Sequence, residues 1–244
     1  MPRANRYYLP GHSYHLTHRC HDQEFLLRFG IDRNVYRQML WESLQGSSAW
    51  LLSYCITGNH VHLLVRSDEP DGISTWMQLI EGRFAQYYNR RKGRSGAFWE
   101  DRYHATLVDS GEHLERCMTY IELNMVRAGV VAHPKEWRWC SYQEWTGQRS
   151  RYRLVDLDQS LEFLGGHTLP NFQKHLESRI NQAIAVKDLM REAKWTEGIA
   201  VGSAAFVEQV AGMTQWRRRL EKEETSPGSW VLRENDSPYA RTPM

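Results

Sequence analysis

Apolar and polar positions change period several times along the chain. Residues 14–19 (YHLTHR) alternate and are bounded by Gly11, the period of two expected of a strand. Over 32–45, Val35, Met39, Leu40 and Leu44 recur at helical spacing and stop at Gly46. Two apolar, β-branched runs follow, 50–57 (WLLSYCIT) and 60–66 (HVHLLVR), joined by Gly58-Asn59. That two-residue connection predicts a β-hairpin. Ile73, Trp76, Met77, Ile80, Phe84 and Tyr87 mark one face of a second helix, which ends at Gly93. Residues 103–108 (YHATLV) predict a fourth strand, and Ser110 is placed to cap a third helix that runs to Arg127 and ends at Gly129.

The order β-α-β-β-α-β-α is the ferredoxin-like pattern of the α+β class. It implies an antiparallel sheet with helices on one face and the other face free for a ligand. Residues 1–150 form that domain, with the Trp-rich stretch 133–150 folding back on the core. Residues 151–224 are expected to be a helical extension, in which AFVEQVAGMTQWRRRL has a helix-turn-helix look with Thr214 as a cap. Residues 225–244, poor in apolar side chains, are expected to be a disordered tail.

Charge narrows the picture. The 244 residues carry 31 Lys+Arg against 29 Asp+Glu, so any nucleic-acid footprint must be local. Cys20, Cys55, Cys117 and Cys140 form no CxxC pair, which fits neither a zinc ribbon nor a disulfide framework and points to a reducing cytoplasm. No apolar run approaches membrane-spanning length, and the N-terminus lacks the apolar core of a signal peptide, which argues against membrane and secreted classes.

Candidate chemistry begins on the second strand of the hairpin. His60 and His62 are two apart, so both imidazoles share one face while Val61, Leu63 and Val65 take the other. The pair could share a cation or could be half-buried, hydrogen-bonded residues. Tyr120, Asn124 and Arg127 recur at i, i+4 and i+7 on the third helix, beside the apolar stripe of Leu114, Cys117, Met118, Ile121 and Met125. They could equally be a core aromatic, a helix-end capper and a charge complementing the helix dipole. His12, His15, His18 and His21 recur every three residues, which suits neither strand nor ligand geometry, so they read as incidental; His104 alternates on the fourth strand and could approach the site. A basic segment carries Arg83, Arg90, Arg91, Lys92, Arg94 and Arg102 among Phe84, Tyr87, Tyr88, Phe98 and Trp99. Such a mixture suits phosphate tracking and base stacking. Arg90, Arg91, Lys92 and Arg94 have no evident packing role and are the best DNA-contact candidates, with Arg127 added by its place beside Tyr120.

GNHVHLLV (58–65), GRSGAFWEDRYHATLV (93–108) and YIELNMVRAGVV (120–131) together resemble the signature blocks of the single-tyrosine HUH transposases, and most closely their REP-associated tyrosine transposase branch. The resemblance spans about residues 5–145. It implies that His60 and His62 bind a divalent metal, that Tyr120 is the nucleophile and that Asn124 completes the metal site. Met125 stands where the branch often has proline, a position on the apolar stripe. Mg²⁺ or Mn²⁺ suits imidazole and oxygen donors, although Zn²⁺ would also be accepted. The implied substrate is single-stranded DNA folded into REP-like hairpins, cut through a covalent 5′-phosphotyrosine. Arg217, Arg218 and Arg219 are placed to grip a hairpin stem. Monomer and homodimer both remain open.

Two rival readings keep the fold. An RNA-binding RRM lacks the glycine-aromatic block here and leaves the His pair unexplained. A non-catalytic nucleic-acid-binding regulator would have no need to keep His60, His62, Tyr120 and Asn124 together.

Overall fold

A computed structural model describes residues 8–213 and 220–234. The first strand, β1 (His12–Arg19), leads to α1 (Gly30–Leu44), followed by the hairpin β2 (Ala49–Ile56) and β3 (His60–Ser67). Next come α2 (Gly72–Lys92), β4 (His104–Val108) and α3 (Glu112–Glu122). The expected order and the hairpin are both present. Within the sheet the four strands run β2-β3-β1-β4, all antiparallel to their neighbours.

Helices α1 and α2 lie on the face of Val61, Leu63 and Val65. Tyr54, opposite Leu63, accepts from Arg37 Nε of α1 at 3.0 Å. Phe84 of α2 packs edge-on against Tyr36 of α1, their ring centroids 4.9 Å apart, and both rings are fully buried. At the end of α2 the buried stripe moves from the expected Tyr87 to Tyr88, because Tyr88 meets Phe98 from the following loop at 4.7 Å. Gly93 closes the helix at φ 60, a left-handed position glycine adopts without strain.

The third helix departs from expectation in two ways. It starts after Gly111, with no side-chain cap; Ser110 is not its capper. It also breaks at Leu123 before a short helix, α4 (Asn124–Arg127). The piece crosses the histidine face of the sheet, so that face is roofed and not open. Glu122 holds it there, accepting from Ser53 Oγ of β2 at 3.1 Å, from Tyr142 N at 3.0 Å and from Ser141 Oγ.

The Trp-rich stretch does fold back: buried Trp145, in α5 (Tyr142–Trp145), donates Nε1 to the Leu52 carbonyl at 2.9 Å. Beyond it the helical expectation needs correction. Helices α6 (Leu157–Phe163), α7 (Leu169–Ala185) and α8 (Lys194–Glu197) precede β5 (Ala200–Gly202), and α9 (Ala204–Met213) precedes β6 (Leu220–Ser226) and β7 (Ser229–Glu234). These strands extend the same sheet to seven, in the order β2-β3-β1-β4-β5-β7-β6. Chain expected to follow α9 as a second helix re-enters as a strand at Leu220, and the expected disordered tail supplies β7. Buried Val231 and Leu232 explain β7: they pair with Val201 and Ala200 across a tertiary contact that local composition does not announce. Thr214, Arg217, Arg218 and Arg219 lie outside the described residues, and so do 235–244. Among the described residues no helix is long and apolar enough to cross a membrane.

Candidate active site

On β1, Ser13, His15 and Thr17 alternate with Tyr14, Leu16 and His18, and all six are buried. The register sets Thr17 opposite both His62 and His104, and His15 opposite Thr106. Three neighbouring strands therefore pool polar side chains on one face, beneath α3 and α8.

The contacts in this layer fix where each imidazole lone pair points. His60 Nδ1 lies 2.7 Å from Asn59 Oδ1, so Nδ1 carries the proton and Nε2 the lone pair. His62 Nε2 meets the Asn124 side-chain amide nitrogen at 2.9 Å, and its Nδ1 lies 2.8 Å from His15 Nε2. His15 Nδ1 in turn lies 2.8 Å from the Trp195 carbonyl oxygen. Burial, the largest influence, lowers the pKa of all three: His15 to about 3, His60 to about 4 and His62 well below the ordinary histidine value. Neighbouring positive groups push the same way, so the three rings are neutral at pH 7.

Tyr120 completes the group within the same chain. Its ring centroid is 6.1 Å from those of His15 and His62, and 6.3 Å from Trp195. It is 5% exposed and borders a cavity of 550 Å³ shared with Thr119, Leu123, Arg127 and Arg179. The Arg127 guanidinium sits 4.0 Å over the phenol ring and donates Nη2 to the Tyr120 carbonyl at 3.1 Å. Burial raises the Tyr120 pKa, and Arg127 opposes that rise by favouring the phenolate.

Thus His60, His62, Tyr120, Asn124 and Arg127 converge. The donor set suits a divalent ion, since two imidazole lone pairs and an amide oxygen match borderline and hard cations. Among the described residues no three His, Cys, Asp or Glu side chains gather as ligands.

The basic segment is mixed. Arg90, Lys92 and Arg102 are exposed. Arg83 pairs with Glu42 at 3.0 Å. Arg91 and Arg94, expected to lack packing roles, have them: Arg91 pairs with fully buried Asp32 of α1, and Arg94 donates to the Ala97 carbonyl at 2.9 Å, folding the loop after α2. Phe84, Tyr88 and Phe98 are core residues, while Trp99 stacks on buried His18 at 3.9 Å, so these rings serve packing.

Sequence reasoning missed His15, because the spacing of three hid the strand period of two that puts Ser13, His15 and Thr17 on one face. His104 turns to the extension instead, its Nε2 lying 2.9 Å from the Gly198 carbonyl oxygen. Nothing local in the sequence could have found Trp195, which lies 180 residues from its partner His15.

The chain is similar to known proteins over its first half. The family profile described as "Transposase IS200 like" matches residues 9–124. A Haemophilus influenzae protein named as a REP-associated tyrosine transposase is 26% identical over 119 residues, covering 45% of this chain and 68% of the relative. A solved REP-associated tyrosine transposase bound to a REP hairpin superposes with a TM-score of 0.51 at 16% identity, covering 61% of this chain and 87% of that one. A Deinococcus radiodurans structure described as a transposase aligns at 15% identity and a TM-score of 0.35, covering 52% of this chain and 92% of that one.

Proposed function

We propose that this chain, whose residues 9–124 match the IS200-like transposase profile, nicks and rejoins single-stranded, REP-like hairpin DNA through a 5′-phosphotyrosine at Tyr120. The observation that carries this reading is the meeting, in one chain, of the His62–Asn124 contact at 2.9 Å with the Tyr120 ring 6.1 Å from that of His62. In this reading one chain supplies every side chain of the site.

Tyr120 Oη attacks the phosphorus. An O–P bond to tyrosine forms, the bond to the 3′ oxygen breaks, and the phenol proton ends on the released 3′ hydroxyl. The new ester is close in energy to the old one, so a DNA hydroxyl can reverse the step and join strands without ATP. Arg127, over the ring, steadies the phenolate that burial disfavours. His60, His62 and Asn124 would hold Mg²⁺ or Mn²⁺. When bound, the ion neutralises a nonbridging phosphate oxygen and fixes the phosphorus for in-line attack. Exposed Arg90, Lys92 and Arg102 supply backbone contacts to the strand. The hairpin preference is carried over from the solved relative bound to a REP hairpin.

The test is incubation with Mn²⁺ and hairpin-bearing single strands, read on a denaturing gel. Wild-type protein gives a covalent adduct, Tyr120→Phe gives none, and His60→Ala stops cleavage while hairpin binding persists. Tight binding by wild type with no adduct under any divalent ion would replace this reading with the regulator.

A further inference from the structure

The chain Trp195 C=O, His15, His62, Asn124 spans two parts of the molecule. His15 and His62 lie within the family-matched residues; Trp195 lies in the extension beyond them. A carbonyl oxygen can only accept, so His15 Nδ1 donates to Trp195. In a neutral ring His15 Nε2 is then an acceptor, and His62 Nδ1 must be the donor at 2.8 Å. The lone pair of His62 is thereby forced onto Nε2, the atom that faces Asn124. The reverse arrangement would place a proton on His62 Nε2 and take it out of service as a ligand. We propose that His15 is a positioning residue that sets the tautomer of His62, and that the C-terminal extension anchors it through the Trp195 carbonyl.

The inference rests on the metal role of His62 proposed above and gives the extension a task in the site. Its anchoring turn is closely built. Thr106 Oγ1 lies 3.1 Å from the Trp195 carbonyl oxygen and 2.8 Å from that of Gly198. A Cβ at Gly198 would come within 2.6 Å of the Lys194 carbonyl oxygen and 2.8 Å of Val231 Cγ2. Gly198→Ala should therefore shift the turn carrying the Trp195 carbonyl without touching either imidazole. Partners that hold the far nitrogen of a metal-bound histidine commonly change metal affinity about 10- to 100-fold when removed.

Two measurements decide the matter. In metal-free, full-length protein labelled with ¹⁵N in its histidine rings, with His62 assigned by comparison with His62→Asn, the His62 signals should be those of an Nδ1–H ring. An Nε2–H ring would overturn the proposal. Mn²⁺ titration then compares wild type with His15→Leu, His15→Gln and Gly198→Ala. Leu should weaken Mn²⁺ binding by about 10- to 100-fold, while Gln, whose amide oxygen can still accept from His62, should restore most of the loss. Gly198→Ala should fall between them, with hairpin binding unchanged throughout. Wild-type affinity in folded His15→Leu would overturn the role of His15 and leave the metal role of His62 standing. Absence of Mn²⁺ binding that His62→Ala can remove from wild type would overturn both.

Discussion

The two faces of this sheet are built for opposite purposes. On one, Leu63, Val65, Tyr54 and the stripe of α2 from Ile73 to Tyr88 pack with α1 into a dense apolar layer. On the other, His15, Thr17, His62 and Thr106 are as deeply buried, yet their polar atoms are held by directed hydrogen bonds. Apolar burial is tolerant of exact atomic placement, whereas a hydrogen-bonded polar layer is stable only if each donor meets its acceptor. The first face secures the fold; the second uses that rigidity to hold lone pairs and a phenol in register.

Substitutions on each face should separate stability from chemistry. Phe84→Ala, which empties a fully buried ring site against Tyr36 and Phe98, should cost about 3–5 kcal/mol in denaturant unfolding. Tyr120→Phe, on the polar face, should leave the unfolding midpoint nearly unchanged while abolishing the adduct. A Phe84→Ala protein of wild-type stability would mean that the apolar face is not what holds the domain.

Glu122 sharpens the contrast by pH. Burial raises its pKa to about 7, outweighing the Ser141, Ser53 and Tyr142 hydrogen bonds that act in the opposite direction. The folded protein therefore holds this proton to higher pH than the unfolded chain, so its contribution to stability is lost as pH rises from about 4.5 to about 7. The depressed histidines run the other way: their contribution is present above about pH 6.5 and is lost as pH falls toward their folded values near 4 and 3. Glu122→Gln should remove the first slope alone, reducing the wild-type loss between pH 5 and pH 8 by on the order of 2 kcal/mol. Parallel pH profiles for the two proteins would rule out a buried proton at Glu122.

The basic segment gives the smaller effects. Arg91→Gln leaves the buried Asp32 carboxylate without its cation. It should cost about 1–3 kcal/mol, discounted toward the lower end because Arg91 is partly exposed. Arg90→Gln should stay within about 0.5 kcal/mol in stability. It should instead lower the salt dependence of hairpin binding by about one phosphate contact. Equal stability losses for the two arginines would erase the division between anchoring and DNA-facing cations.

Much of the family-matched half was legible because its signals are local. Alternation, helical spacing and the Gly-Asn connection located the first four strands and three helices to within a few residues. The pairing of His60 with His62 followed from the pleat, and that of Tyr120 with Asn124 from helical spacing. Legibility failed where a residue's role depends on a distant partner. Arg91 looks like a solvated cation until α1 brings Asp32 beneath it, and residues 229–234 look like tail until β5 offers them an edge.

Thus local periodicity determined which side chains share a strand face or a helix edge, because backbone geometry alone fixes those directions. It could not determine that α3 crosses the histidine face, that Glu122 pins it to β2 and residues 141–142, or that a carbonyl 180 residues away orients His15. Those outcomes come from closing the sheet and docking the extension. Only then are polar groups withdrawn from water, so that each must find one particular partner.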